Sequence, residues 1–382
     1  MNPVLPEQIE KTAFAFRGYN ITNLGKTPEL LEHPAYGPIV EQYLKTGSEI
    51  CGEAIGRKVN LLRRVRHRER GTLRTYPQSL AMVVAMELAQ LKLLDEFFGI
   101  RHDKAQLLFG YSLGEITAVV AGGLFDIAAV MTPILALADD AAQLAYDCRM
   151  GIVFSRGPEI DLNAVKKLCL EISNRGKGII DVSSYLSPNT LLLIGQGTTV
   201  YQFKRAMRET LPKSVHLRPN RHRWPPMHTQ ITWQKNIPNR AGVMLATAPG
   251  GFVSPIPAIL SCVTGGLDYN DLNSRDILTR WIDHPQKVWD VIDRTLSLGV
   301  ETVIHVGPEP NILPATFTRL SNNIAAQLSG TSIASLGLRA VSRVVRNRPW
   351  LTKLMSSDAT LLRAPFVEQV ILEDWLLEQT VP

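Results

Sequence analysis

Ser112 is the residue in this chain best placed to do chemistry. It lies in Gly110-Tyr111-Ser112-Leu113-Gly114-Glu115, between the apolar run Leu107-Leu108-Phe109 and the small-residue segment Ile116 to Gly123. That order predicts a strand, a sharp turn and a helix with serine at the apex. A Gly-x-Ser-x-Gly turn of this kind presents the hydroxyl above a sheet edge, with glycines where side chains would clash. The free N–H groups and positive dipole end of the following helix then point at the same spot, which suits the oxyanion of an acyl-transfer intermediate. A serine hydroxyl also needs a base, itself oriented by a third group. Of the eight histidines, His33, His67, His102, His216 and His222 stand in polar or basic settings and are expected at the surface. His305 falls inside a strand as a core histidine, and His284 precedes Pro285 in a turn. His228 differs, because it stands where an inserted subdomain rejoins the first domain, and substrates sit in such clefts.

The elements that must position these groups follow from periodicity and punctuation. Lys11 to Phe16 predicts a short buried strand ended by the Arg17-Gly18-Tyr19-Asn20 turn, with helical sequence to about Ile55. Pro77 suits a first helical turn, and apolar residues from Gln78 to Phe98 recur nearly all round, as in a deeply packed helix. After the elbow helix comes another, Ile127 to about Tyr146. Residues 148–224 then read strand, helix, strand, strand, helix, strand, the ferredoxin-like order. The chain returns with a strand at Ile256 to Val263, helices at Ser274 to Ile282 and Pro285 to Leu298, and a strand at Thr302 to Val306. The expected division is a large α/β domain from 1–147 and 225–328, a small subdomain at 148–224, and an extension at 329–382. In that extension Ala340 to Val345 and Phe366 to Leu377 attach to no recognisable core.

Composition narrows the class of protein. With 382 residues, 45% hydrophobic and 20% charged, the chain is that of a globular protein large enough for a sizeable core. Met1 to Lys11 lacks the apolar core of a secretory signal, and no stretch reads as a membrane span, so a cytoplasmic location is expected. Four cysteines, Cys51, Cys148, Cys169 and Cys262, lack metal-ligand spacing and read as reduced packing residues. No metal site is expected. The net charge of +6 is concentrated in Arg57, Lys58, Arg63, Arg64, Arg66, Arg68, Arg70 and Arg74, and again in Arg339, Arg343, Arg346, Arg348 and Lys353. A solvated face is the simplest reading of such runs, phosphate groups or an acidic partner the functional one. Nucleic acid is not expected, since the first run is not interleaved with aromatic residues.

The elbow resembles the Gly-His-Ser-Leu-Gly-Glu turn of the malonyl-CoA:acyl-carrier-protein transacylases and the acyltransferase domains of fatty-acid and polyketide synthases. The similarity runs from residue 12 to about 325. Phe14 to Tyr19 matches the family's first strand and its Phe-Pro-Gly-Gln turn, and Tyr76-Pro77-Gln78 resembles its Thr-Gln-Pro helix start. Ser187-Pro188-Asn189, Val263-Thr264-Gly265 and Val306-Gly307-Pro308 fall in the family's order. The resemblance implies an α/β-hydrolase-like large domain with an inserted ferredoxin-like subdomain. It also implies Ser112 as nucleophile, His228 as base, the N–H groups of Tyr19 and Leu113 as oxyanion hole, and the Trp281 carbonyl as the group orienting the histidine. The acyl pocket would involve Tyr111, Leu137, Met227 and Gln78. The substrate implied is a coenzyme A thioester, the acceptor the phosphopantetheine thiol of an acyl carrier protein. No permanently bound cofactor is expected, and the enzyme would be a monomer.

Departures from the pattern bear on the acyl group. Tyr111 replaces the elbow histidine, Trp281 replaces an amide residue, and Pro226-Met227 precedes His228 where small or aromatic residues adjust selectivity. The arginine that holds a malonyl carboxylate in a bidentate pair falls, in gapless register, on Leu137. A carboxylate in a closed pocket without its cation would cost on the order of several kcal/mol, so an uncarboxylated acyl group is expected. Three alternatives stand beside it: a malonyl transferase with a relocated cation such as Arg17 or Arg149, a hydrolase that clears acyl groups from a stalled carrier, and a silent homologue that binds the carrier.

Overall fold

The computed structural model describes residues 5, 9–156, 158–329 and 357–381. Among the described residues nine strands form two sheets: β1 (Thr12–Phe16), β2 (Leu107–Gly110), β3 (Cys148–Ser155), β4 (Ile180–Ser187), β5 (Thr190–Gln196), β6 (Val215–Arg223), β7 (Ala258–Leu260), β8 (Thr302–Val306) and β9 (Glu368–Ile371). The first sheet is parallel throughout, in the order β7-β2-β1-β8-β9. β1, β2 and β8 are buried along their whole length, which is why they read as unbroken apolar runs rather than alternating ones. Register sets Phe16 beside Gly110 and Val306. The three central strands therefore end together, and the turns that follow them converge at the carboxyl edge, where parallel sheets place their sites.

The second sheet, β4-β5-β3-β6, is antiparallel. With the helices Leu162–Ser173 and Thr199–Thr210 it makes the ferredoxin-like unit, spanning Cys148–Arg223. One face of it carries its own core, including Val153, Val165, Leu168, Val182 and Phe203. Leu186 and Leu192 instead join Val288, Val291 and Ile292 of the large unit. The small unit is thus packed onto the elements that return to the first sheet.

Helix Tyr76–Phe98 is buried nearly all round and packs against the helices Gly37–Ile55 and Ile127–Ala145. The latter is, contrary to the sequence expectation, long and apolar enough by length and composition to cross a membrane. It packs against four other helices of the large unit, Gly37–Ile55, Tyr76–Phe98, Leu113–Ala121 and Ile237–Thr247. All four cysteines are buried and free. In the first basic run, Arg57, Arg63, Arg66 and Arg68 pair with Asp139, Glu69, Glu41 and Glu29, as on a solvated face. His102 is half-buried rather than at the surface, with Nε2 3.2 Å from the Ala121 carbonyl. His305 is a core histidine, 2.7 Å from Gln369 Oε1.

Three readings need correction. The strand expected over Ile256 to Val263 is only the three residues of β7, because the backbone beyond it turns toward Glu115, which accepts from the Cys262 N–H at 3.0 Å. The helix expected from Pro285 begins at Val288, because Gln286 is extended and bonded to β4. Phe366 to Leu377 does attach to the core. β9 adds to the sheet edge beside β8, and the helix Leu372–Glu378 buries Leu372, Trp375 and Leu376. Tyr36 donates to the Leu376 carbonyl at 3.0 Å, and Glu373 accepts the N–H groups of Lys26 and Glu309, each at 2.7 Å. A four-residue edge strand is too short to show a period, so its pairing was invisible in sequence. Ala340 to Val345 and the second basic run lie outside the described residues.

Trp375 is 6% exposed and meets Phe98 edge-on at 4.9 Å between ring centroids. Trp375→Ala is expected to lower unfolding stability by about 3 kcal/mol, read as a reduced urea midpoint. An unchanged midpoint would mean the segment does not hold the large unit together.

Candidate active site

The elbow is built by close approach. A Cβ on Gly110 would lie 2.0 Å from the Gly114 carbonyl carbon, and one on Gly114 would lie 2.2 Å from the Phe16 carbonyl oxygen. Both positions exclude any side chain, and between them the chain reverses from β2 into the helix Leu113–Ala121. Ser112 takes φ 54° and ψ −117°, a conformation a non-glycine residue adopts at a cost of about 1–3 kcal/mol.

That backbone is held from both ends. The Ser112 N–H donates to Gln286 Oε1 at 3.2 Å. Its carbonyl accepts from Trp281 Nε1 at 2.9 Å and from the Glu115 N–H at 2.9 Å. Glu115 is buried and in turn accepts from Ser261 Oγ at 2.5 Å and Tyr269 OH at 3.0 Å. Burial pushes its carboxyl up to about 7 despite these donors.

Ser112 Oγ and His228 Nε2 are 2.7 Å apart, and His228 Nδ1 is 2.6 Å from the Trp281 carbonyl. A carbonyl only accepts, so Nδ1 carries the proton and Nε2 of the neutral ring accepts from the serine hydroxyl. This is the tautomer a general base requires. His228 is itself at φ 65°, and its N–H donates to the Ile282 carbonyl at 2.7 Å. The ring is 3% exposed, and burial lowers its pKa to about 4 against the partly opposing bond to Trp281.

Around the hydroxyl, the N–H groups of Tyr19 and Leu113 have no acceptor among the described residues. Gly18 lets the Tyr19 turn approach, since a Cβ there would sit 2.7 Å from the Tyr111 carbonyl oxygen and 3.3 Å from Ser112 Cβ. An apolar cavity of about 20 Å³ is lined among others by Tyr76, Leu80, Leu137, Met227, Trp281 and Ile282, of which Met227 precedes His228 in the chain and Trp281 is bonded to both His228 and Ser112.

The structure therefore brings Ser112, His228, Tyr19, Leu113, Trp281, Leu137 and Met227 together. Tyr111 and Gln78 do not line that cavity. Tyr111 points to the small unit, with its hydroxyl 3.1 Å from Ser184 Oγ, and Gly18 lies against its ring and carbonyl. Gln78 accepts from Arg64 Nη1 at 3.1 Å, while Tyr76 takes the inward place two residues earlier. Arg17 is spent on main-chain carbonyls of Gly18, Thr22 and Pro308 and on Asn23. Arg149 lies over the Tyr201 ring on the small unit. Arg64, 4% exposed, is the surprise of the basic run, because its Nε and Nη2 are buried without an acceptor. Gln286 was missed, because a proline followed by an amide reads as a helix start. Among the described residues no cluster of His, Cys, Asp or Glu could hold a metal.

A parallel sheet with a serine elbow at its edge and a ferredoxin-like insertion over it define the fold of the malonyl-CoA:acyl-carrier-protein transacylases. No protein-family model matches the sequence, and no curated protein does. Among solved structures the chain is similar to FabD from Acinetobacter baumannii, with a TM-score of 0.64 at 18% identity over 79% of this chain and 89% of that one. It is similar to an acyl carrier protein S-malonyltransferase from Vibrio cholerae, with a TM-score of 0.59 at 21% identity over 80% and 92%. A type II polyketide-synthase malonyl-transacylase solved with its acyl-carrier protein matches at a TM-score of 0.60 and 18% identity over 81% and 93%.

The lowered His228 pKa has a sign that can be tested. The ring is neutral, and able to accept the serine proton, at every pH above about 4. Phosphonylation of Ser112 by a fluorophosphonate should hold its neutral-pH rate down to about pH 5 and fall about tenfold per unit once below the folded pKa. A fall beginning near 6.5 would mean a solvated imidazole. The same ring withholds a proton that the unfolded chain binds below 6.5, so its contribution to stability shrinks as pH drops from there toward 4.

Proposed function

We propose that this chain is an acyltransferase that carries an acyl group from coenzyme A to the phosphopantetheine thiol of an acyl carrier protein, through an ester on Ser112, in fatty-acid or polyketide biosynthesis. The observation that carries this is the dyad: Ser112 Oγ 2.7 Å from His228 Nε2, with Nδ1 fixed by the Trp281 carbonyl, beneath two free N–H groups. The solved structures that share the fold, named as malonyltransferases, support the reading.

In the proposed reaction Ser112 Oγ attacks the thioester carbon as its proton passes to His228 Nε2. The developing oxyanion is held by the N–H groups of Tyr19 and Leu113, preorganised donors whose effect is greatest in such a dry site. Collapse breaks the carbon–sulfur bond, and the coenzyme A thiolate takes the proton from His228. The carrier thiol then gives its proton to the same nitrogen, attacks the ester and restores Ser112. Arg218 and Arg221, exposed on the edge strand β6 and without an ion pair among the described residues, lie on the segment that leads through Trp224 to His228. They are suited to an acidic carrier, and raised ionic strength should weaken transfer to it. The protein would work as a cytoplasmic monomer with no resident cofactor.

The acyl group is read as short and uncharged, because Leu137 lines a cavity that holds little more than one water-sized group and is walled by apolar side chains. A carboxylated acyl group is the second reading. It is favoured by Arg64, whose Nη1 bonds Gln78, whose Nε and Nη2 find no acceptor among the described residues, and whose charge acts on Tyr19.

Mixing the protein with acetyl-, propionyl-, butyryl- and malonyl-CoA, followed by intact-mass spectrometry, is expected to give an adduct on Ser112 that Ser112→Ala abolishes. The uncharged thioesters should react at least about tenfold faster than malonyl-CoA, matching the cost of an unpaired carboxylate. Fastest labelling by malonyl-CoA, lost in Arg64→Ala, would select the second reading. Absence of any adduct would overturn both. Release of free acid without an acceptor thiol would identify a hydrolase instead.

A further inference from the structure

Gln286 lies wholly inside the protein, between the small unit and the elbow. Its main chain is paired with β4: the N–H donates to the Ser183 carbonyl at 2.9 Å, and its carbonyl accepts from the Tyr185 N–H at 2.8 Å. Its side chain reaches the other way, with Oε1 on the Ser112 N–H at 3.2 Å and Nε2 3.2 Å from His228 Nδ1. Since Nδ1 already donates to Trp281, Nε2 meets it as a polar neighbour and not as a partner. We propose that Gln286 is a positioning residue of the dyad: its amide oxygen holds the Ser112 peptide in the conformation that aims Oγ at His228, and its neutral amide occupies the place where an acidic third member of a triad would sit. The inference rests on the proposed acyl-transfer reading and adds a residue to it.

The chemistry of the position explains the choice of an amide. The Ser112 N–H is buried in a strained turn and needs an acceptor, and an unmade hydrogen bond there would let the peptide rotate. A carboxylate would satisfy it equally well, but would also attract the proton on His228 and stabilise the imidazolium. An amide supplies the acceptor without the charge. Among the described residues no charged group takes over that role. Of the titratable side chains on elements packed around the ring, Tyr111 is bonded to Ser184, Glu115 to Ser261 and Tyr269, and Asp181 to the Val182 N–H. Asp283 is bonded to Trp233 and His284, and Lys287 to the Thr264 carbonyl. The charge state of His228 is therefore governed by burial, and the residue at 286 decides whether a charge is added.

The same contacts make the small unit part of the site. Ser183 Oγ donates to the Met227 carbonyl at 3.3 Å, and Ser184 Oγ meets Tyr111. Adjacent residues of β4 thus touch the neighbours of both Ser112 and His228, and Gln286 is the one that reaches the nucleophile itself.

The test compares Gln286→Leu and Gln286→Glu with the native protein. It uses phosphonylation of Ser112 by a fluorophosphonate, which forms the Oγ–phosphorus bond and releases fluoride, together with acyl-CoA turnover. Gln286→Leu removes the acceptor and should slow phosphonylation about tenfold or more, with the loss in kcat and KM nearly unchanged. Gln286→Glu keeps size and acceptor, so it should label readily at neutral pH while the acid limb of its pH profile rises by about one unit or more. A leucine variant that labels at the native rate, or a glutamate variant with an unmoved acid limb, overturns the inference. If the native protein is itself neither phosphonylated nor acylated, it is the acyl-transfer reading that fails. Should the leucine variant not fold, the glutamate variant alone decides.

Discussion

Everything at this site depends on one strained peptide. A serine at positive φ presents its hydroxyl above the sheet, but it stays there only if its surroundings fix both its N–H and its carbonyl. Here the elbow helix holds the carbonyl through the Glu115 N–H, and the segment after β7 holds both groups through the Trp281 indole and the Gln286 amide. Two glycines, each with carbonyl atoms where its Cβ would be, allow the turn to be tight enough for those partners to reach it. The restraint is a set of ordinary hydrogen bonds, each worth about 1 kcal/mol, which together offset the strain.

Trp281 does two jobs at one residue. Its main chain orients His228 and its side chain holds Ser112, so nucleophile and base are referenced to the same short segment and their 2.7 Å separation is set by one rigid body. The resemblance suggested only that a backbone carbonyl would persist there whatever the side chain. The indole N–H adds a donor aimed at the elbow carbonyl, so the departure from an amide residue changes how the turn is braced. Desolvation then completes the arrangement. A buried imidazole with a carbonyl on Nδ1 and no charged neighbour stays neutral, with Nε2 open to the serine proton.

Legibility in the sequence followed the range of the interactions. The elbow, the turn after β1 and the ferredoxin-like order were readable because each is written in consecutive residues: glycines at fixed spacing, apolar runs, a strand-helix alternation. His228 and Trp281 were identified by their place in chain order beside a resemblance, and the structure sets both against Ser112. Gln286 and the C-terminal strand were not legible. The partner of Gln286 lies 174 residues away at Ser112, and nothing in the local sequence distinguishes an amide that starts a helix from one that braces a nucleophile. β9 is four residues long and pairs with β8 across more than sixty positions, so neither period nor proximity announced it. Gln78 and Tyr111 were placed in the pocket by motif position, but their directions are settled by packing: Arg64 claims one and Ser184 the other.

The apolar cavity that Met227 and Trp281 share is where the competing demands on the acyl group meet. Leu137, Leu80 and Ile282 close the cavity with hydrocarbon, and the cations expected as candidates for entering it are committed elsewhere, Arg17 to carbonyls and Arg149 to an aromatic ring. Among the described residues Arg64 alone keeps buried guanidinium nitrogens unmatched, while its Nη1 is bonded to Gln78. Tyr76, which lines that cavity, meets Tyr19 edge-on at 4.8 Å between ring centroids, so anything that displaced Tyr76 would act on Tyr19. Such a displacement would disturb the turn whose N–H, in the proposed reaction, is offered to the oxyanion. In that reading an acyl group large enough to push Tyr76 aside would loosen a donor its own transition state needs, whereas a short apolar one leaves that donor in place. As a wall of the cavity and the partner of Tyr19, Tyr76 thus ties the proposed choice of acyl group to the proposed oxyanion hole.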